Sequence, residues 1–154
     1  MDLQDSRAWA IAETIFMESK RHALDPLLVL AVINVESRFQ HTVVSTVGAR
    51  GLMQIRPDVA KALAEERGFF ARKDKSPQDI LDLDDPIVNI KLGVFYLHSL
   101  KKSFRDLKLA LTAYNWGPTE VRNRLAEEDA VPLEYAMKVL STYHGYRRDS
   151  RQPD

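Results

Sequence analysis

The sequence contains no cysteine, which rules out disulfides and thiolate metal sites and leaves the redox compartment unreadable. It has no excess of either charge: Lys plus Arg and Asp plus Glu stand at 22 each. A dedicated polyanion binder carries a basic excess or stripe, so no nucleic-acid partner is expected, although a local patch remains compatible with the count. The four histidines, His22, His41, His98 and His144, are scattered without metal-ligand spacing, and neither a metal nor a cofactor is expected. No apolar run approaches the ~20 residues needed to cross a bilayer. The opening MDLQDSRAWA is acidic and lacks the apolar centre of a signal peptide. The protein then stays in the cytoplasm, leaves by another route, or is a domain cut from a longer precursor. Internal repeats, low-complexity tracts, phosphate-cradling glycine loops and Ser/Cys–His motifs are missing too.

What the sequence has is helix punctuation. Alternating strand patterns are nearly absent, so the fold class is all-α. At 154 residues the chain suits one compact domain, placed at residues 1–146, with the polar stretch 147–154 expected as a frayed or disordered tail. Asp5 is positioned to cap a first helix through about Arg21, with Ala8, Ile11, Ala12, Ile15 and Phe16 at helical spacing and Trp9 read as core packing. Asp25-Pro26 places an aspartate at a cap and a proline at the first helical position, opening a helix to about Ser37. A looser segment runs from Phe39 to Gly51, and a helix follows from Pro57 to about Arg67. Gly68 to Asp84 reads as irregular and charged. Asp85-Pro86 repeats the cap device for a helix to about Lys102, and Leu107–Asn115, Pro118–Glu127 and Pro132–Tyr146 complete about seven helices.

The helix opened by Asp25-Pro26 is almost wholly apolar (LLVLAVINV) until it meets Glu36. A helix apolar all round is a buried one. Leu28, Val32 and Glu36 lie four residues apart, hence on one face. A carboxyl group leaving a buried helix on a core face is desolvated, which raises its pKa toward that of a general acid working near neutral pH. Spacing alone favours the plainer reading, in which Glu36 sits in the last turn and points to solvent, since glutamate is seldom buried without a partner.

Four segments in order carry a family resemblance: Glu36-Ser37; Ser45-x-x-Gly48-Ala49-Arg50-Gly51-Leu52-Met53-Gln54-Ile55; Asn89-Ile90-Lys91-Leu92-Gly93-x-x-Tyr96-Leu97; and Ala113-Tyr114-Asn115-x-Gly117-Pro118. Together they resemble the soluble-type lytic transglycosylase domain, from roughly Asp25 to Tyr143. The resemblance implies a lysozyme-like, mainly helical fold with a substrate groove. It implies cleavage of the β-1,4 bond between N-acetylmuramic acid and N-acetylglucosamine in peptidoglycan, without water and leaving 1,6-anhydro ends. Glu36 would be the catalytic acid and base. Peptidoglycan strands would be the partner, the periplasm or cell envelope the place of action, and a monomer the expected state, with a larger envelope assembly left open. Two other readings stand beside this one: a hydrolytic goose-type muramidase and a non-catalytic peptidoglycan-binding module.

By the same resemblance, Ser45 matches a serine that hydrogen-bonds near the acid, and Gln54 offers an amide to sugar groups. Met53 is either groove or core, and Ser37 either site or helix-end support. Tyr114 and Asn115 match a motif facing the acid, although Asn115 with Gly117 also reads as a plain helix stop. Tyr135 matches a tyrosine beside the acid, in a segment shorter than in many relatives. Trp116 is placed in either groove or core. Arg56 departs from the methionine of many relatives. It is expected to point outward, with contact to an acidic peptide stem or the lactyl group, or an effect holding Glu36 ionised, as the alternatives.

Overall fold

Two Asp-Pro pairs start the two helices that frame the molecule. The Asp25 carboxylate accepts the Leu27 backbone N–H at 2.9 Å, and Asp85 accepts that of Ile87 at 2.8 Å. Each stands at the cap with its proline inside the first turn, and both helices end at an arginine in the left-handed region, Arg38 and Arg105. A third aspartate, Asp106, caps the next helix through the Leu109 N–H. In a computed structural model describing residues 3–66 and 82–151, with side chains from residue 6 onward, seven helices follow. They are α1 (Leu3–Arg21), α2 (Pro26–Ser37), α3 (Pro57–Glu66), α4 (Pro86–Phe104), α5 (Leu107–Trp116), α6 (Pro118–Ala126) and α7 (Glu134–Asp149). Among the described residues, β-pairing is confined to two isolated bridges that join Arg50 to Val44 and to Ile55. The all-α expectation therefore holds.

The core forms around α2. Leu28, Val29, Ala31, Val32 and Ile33 are buried there, and α4 adds Ile90, Leu92, Val94 and Leu97. Burying each such branched side chain contributes about 1.5–3 kcal/mol relative to leaving it exposed, before ordering entropy is subtracted. Helix α2 packs on α1 and α7, while α4 packs on α1, α3 and α5. Three tyrosines of α7 then bond three positions of α2. Tyr135 donates to Glu36 at 2.6 Å, Tyr143 donates to Asp25 at 2.7 Å, and the Tyr146 oxygen accepts from the Asn34 amide at 2.7 Å.

Several boundaries differ from the sequence reading. Helix α1 begins at Leu3, so Asp5 lies inside it rather than at its cap. Trp9 is 68% exposed, not core. The inward stripe of α1 is Ile11, Ile15, Glu18 and Ser19, and Trp9 stands two residues before Ile11, about 200° around the helix. Ala8, Ala12 and Phe16 border an open apolar groove instead. Helix α7 starts at Glu134, two residues after Pro132, and runs through Asp149, into the stretch read as tail. The irregular charged segment expected from Gly68 lies, up to residue 81, outside the described residues.

Candidate active site

The C-terminal end of α2 opens into a cleft of about 220 Å³, with Glu36 in its lining together with Ser45, Gln54, Tyr114, Asn115 and Trp116. Three elements meet there: the end of α2, the turn-rich segment 38–56, and the α5–α6 junction. That junction is a sharp corner because Gly117 takes φ +89°, a conformation L side chains rarely adopt, and Pro118 starts the next helix.

Burial is the dominant influence on Glu36. It raises the carboxyl from its ordinary 4.5 to about 7, while the Tyr135 hydrogen bond and then the Lys138 charge pull it partway back. The negative end of the α2 dipole disfavours a carboxylate at the same place. Glu36 is therefore a carboxyl group that can both give and take a proton near neutral pH. Burial, then the Glu36 charge, holds the Tyr135 phenol well above its usual range, so Tyr135 remains a donor to Glu36 Oε1 throughout. Tyr114 is buried and raised in the same way, but its hydroxyl donates to the Met53 carbonyl at 2.8 Å rather than to the acid.

The other residues singled out from the sequence divide into two groups. Ser45, Gln54, Tyr114 and Asn115 line the cleft. Ser45 Oγ accepts the Ala49 N–H at 3.0 Å and so tightens the loop it sits in. Gln54 spends its amide N–H groups on the Val43 and Gly51 carbonyls, at 3.0 and 2.9 Å. Of the amide offered by the sequence reading, the oxygen, an acceptor, is the part left for a sugar group. Met53 is fully buried and Ser37 nearly so, and neither is in the cleft lining. Ser37 Oγ lies 2.8 Å from the Leu52 carbonyl and 3.1 Å from that of Ile33, tying the end of α2 to the loop. Trp116 resolves toward the cleft: it is 49% exposed, with the Arg124 guanidinium 5.5 Å from its ring. Arg56 also lines the cleft, exposed and paired with Asp58.

Asn89 was quoted for its motif but given no role. It is wholly buried on α4, where its amide donates to the Arg50 and Leu83 carbonyls at 2.8 and 3.0 Å. Its oxygen accepts the Met53 N–H at 2.8 Å. One side chain thereby satisfies two backbone groups of the 38–56 segment and a third at Leu83 just before α4, and losing it would leave the Met53 N–H and the Leu83 carbonyl without this partner, while the Arg50 carbonyl keeps the Ile55 N–H. Gly51, at φ +77°, is needed beside it because a Cβ there would overlap the Asn89 amide and the Leu83 carbonyl. Gly93 leaves room for Met53 in the same way. The available signal was an asparagine on an otherwise apolar helix stripe. Tyr96, also in the cleft wall, packs its ring 5.2 Å from that of Tyr114.

Among the described residues no cluster of His, Cys, Asp or Glu is placed to hold a metal ion, and no helix is long and apolar enough to cross a membrane. Comparison with known proteins finds similarity to a transglycosylase of Enterobacteria phage PRD1, 33% identical over 70% of this chain and 35% of that protein. The membrane-bound lytic murein transglycosylase C of Mannheimia succiniciproducens is 31% identical over 88% of this chain and 38% of its own length. The chain thus spans a little over a third of these relatives. Among solved structures, an inactive glutamate-to-glutamine mutant of the lytic transglycosylase Slt from Pseudomonas aeruginosa superposes with a TM-score of 0.69 at 30% identity, over 92% of this chain and 25% of that one. The 70 kDa soluble lytic transglycosylase of Escherichia coli gives 0.74 at 27% identity, over 91% and 24%. The family model described as the Transglycosylase SLT domain matches residues 13–136. With most of its length so matched, and with lysozyme-like helical structures as its neighbours, the chain belongs to the transglycosylase SLT domain family.

Proposed function

We propose that residues 1–146 form a catalytic domain that cleaves peptidoglycan glycan strands between N-acetylmuramic acid and N-acetylglucosamine without consuming water. The observation that carries this reading is Glu36, a carboxyl raised to about 7 and the only acidic residue among the described residues lining the cleft. Most glycosidases need two carboxyl groups, one as acid and one as base or nucleophile. A single carboxyl suffices where the substrate supplies the nucleophile. The Glu36 proton passes to the glycosidic oxygen as the C1–O bond breaks, and the acetamido oxygen of the muramic acid stabilises the positive anomeric carbon. The C6 hydroxyl of the same sugar then bonds to C1, its proton returning to the Glu36 carboxylate. Both reacting groups sit on one ring, so the second step gains the effective molarity of an intramolecular reaction.

Tyr135 orients the carboxyl and stabilises its ionised form after the first transfer. Asn115, the Gln54 oxygen and the exposed face of Trp116 offer polar and stacking contacts to sugar rings. The murein transglycosylases among the relatives, and the inactivity of a relative carrying one glutamate-to-glutamine change, support the same reading. Such a substrate places the work in the cell envelope, the periplasm in a Gram-negative host, with the domain acting as a monomer and needing no cofactor.

Mass spectrometry of soluble products from purified peptidoglycan, with Glu36→Gln in parallel, tests the proposal. Products with 1,6-anhydro ends that disappear in the variant are expected. Reducing ends would instead establish a hydrolase, and no product from the unmodified protein would point to a binding module.

A further inference from the structure

Arg56 is the single permanent charge among the described residues that line the cleft. The sugar rings are uncharged, so the only groups a cation here can neutralise are the acidic ones on the muramic acid substituent, and the remaining lining offers only amides, hydroxyls, aromatic rings and aliphatic groups around Glu36. The guanidinium is held in a defined orientation. Its Nε and Nη2 reach the two Asp58 oxygens at 3.2 and 3.1 Å, a fork-to-fork pairing two residues apart in the chain. The opposite Nη1 edge has no protein partner among the described residues. Both side chains of the pair are more than half exposed, at 55% and 65%. Such an exposed pair contributes little to stability and is readily shared with an incoming anion. The charge that bears on Glu36, beside burial and the Tyr135 hydrogen bond, is that of Lys138.

From this placement we infer that Arg56 selects substrate, its free guanidinium edge binding a carboxylate of the peptide stems carried by the glycan strand. The inference rests on the peptidoglycan reading above and deepens it: the preferred strand carries stems with free carboxylates rather than amidated ones. Glu36 works at the scissile bond, whereas Arg56 reads a group attached to the muramic acid through its side substituent. An arginine suits that task better than a lysine because the planar fork fits a carboxylate with two parallel bonds. Tyr96, also in the cleft wall, supplies a flat apolar surface against which a stem can lie.

The test is a binding titration with the full chain carrying Glu36→Gln, so that turnover does not consume the ligand. It uses peptide-bearing strands with free stem carboxylates and the same strands with those carboxylates amidated, in the presence and absence of Arg56→Met or Arg56→Lys. The protein with Arg56 is expected to hold the strands with free carboxylates about three- to fivefold more tightly, the scale of an exposed charge pair. Arg56→Met should remove that preference without altering affinity for the amidated strands, Arg56→Lys should keep part of it, and added salt should erode it. Equal affinity for the two strands with Arg56 present, an equal loss on both in Arg56→Met, or no binding of either strand would overturn the inference. The lytic reading fails separately: if the preference holds while the protein with Glu36 restored releases no anhydro products, that reading falls and the Arg56 contact stands.

Discussion

Helix α2 carries a carboxyl group bonded to an α7 tyrosine at each end, and the two ends do opposite work. At the N-terminal end Asp25 takes the Tyr143 hydroxyl at 2.7 Å on one oxygen and the Leu27 N–H at 2.9 Å on the other. Both bonds fix the side chain across the first turn of the helix, where backbone N–H groups lack intrahelical partners. At the C-terminal end Glu36 has the Tyr135 hydroxyl at 2.6 Å, the dipole is reversed, and apolar surroundings replace the backbone donor. The same pair of functional groups thus makes a structural cap at one end and a group exchanging its proton near pH 7 at the other. A tyrosine–carboxylate hydrogen bond does not define a site. The balance between desolvation and the remaining donors does.

The largest contrast should come from neutralising each carboxyl in turn. Glu36→Gln should lower release of anhydro products by about 100-fold or more, the scale of a lost general acid, as measured by initial rates on purified peptidoglycan. Its effect on stability should have the opposite sign. In the unfolded chain the carboxyl titrates near its ordinary 4.5, and in the folded chain near 7, so between those values the folded protein holds more protons. The stability contributed by the neutral carboxyl is complete below about 4.5 and is lost as pH rises through about 7. Glu36→Gln should therefore match the unmodified protein at pH 5 and exceed it by about 2–3 kcal/mol at pH 8 in urea titrations. At the other end Asp25→Ala should cost about 1–3 kcal/mol, from the lost cap and the unpaired Tyr143 hydroxyl, with kcat unchanged. A larger fall in kcat than in stability at Asp25 would break the distinction between the two ends.

This difference was only half legible in the sequence. The Asp25-Pro26 start, the apolar run and the four-residue spacing that puts Glu36 on the face of Leu28 and Val32 are local features, and they reappear as α2. The tyrosine that bonds Glu36 comes from α7, 99 positions further along, and no local pattern carries that. The Asn34–Tyr146 bond spans 112 positions and is invisible for the same reason. Trp9 misled because an aromatic at helical spacing fits either face until the neighbouring helices choose one, and here they chose Ile11 and Ile15. Gln54 and Asn89 show the limit for polar residues. Sequence names the donors and acceptors, but only the loop's path shows that Gln54 spends its N–H groups on its own loop and that Asn89 holds three backbone groups at once.

The two smaller effects on Glu36 offer a finer way to sharpen the comparison, because each acts through the ionised form. As the acid, Glu36 must be protonated when substrate binds, so kcat/KM should fall as pH rises through about 7. The Tyr135 hydrogen bond lowers the Glu36 pKa, so Tyr135→Phe should move that descending limb to higher pH. It should also reduce kcat at its optimum, because the carboxylate left after the first proton transfer loses its donor. Lys138 stands one helical turn beyond Tyr135 with its side chain exposed and acts on Glu36 only through its charge. Lys138→Gln should therefore displace the limb in the same direction but by roughly half a pH unit or less, as suits a charge at the surface. Salt separates the two cases. The displacement from Lys138→Gln should shrink at about 1 M salt, where screening acts within roughly 3 Å, whereas that from Tyr135→Phe should persist because a hydrogen bond in a desolvated pocket is not screened. A Lys138→Gln profile that stayed displaced at high salt would place the lysine in direct contact with the acid, and the C-terminal end of α2 would then carry two donors, as the N-terminal end does.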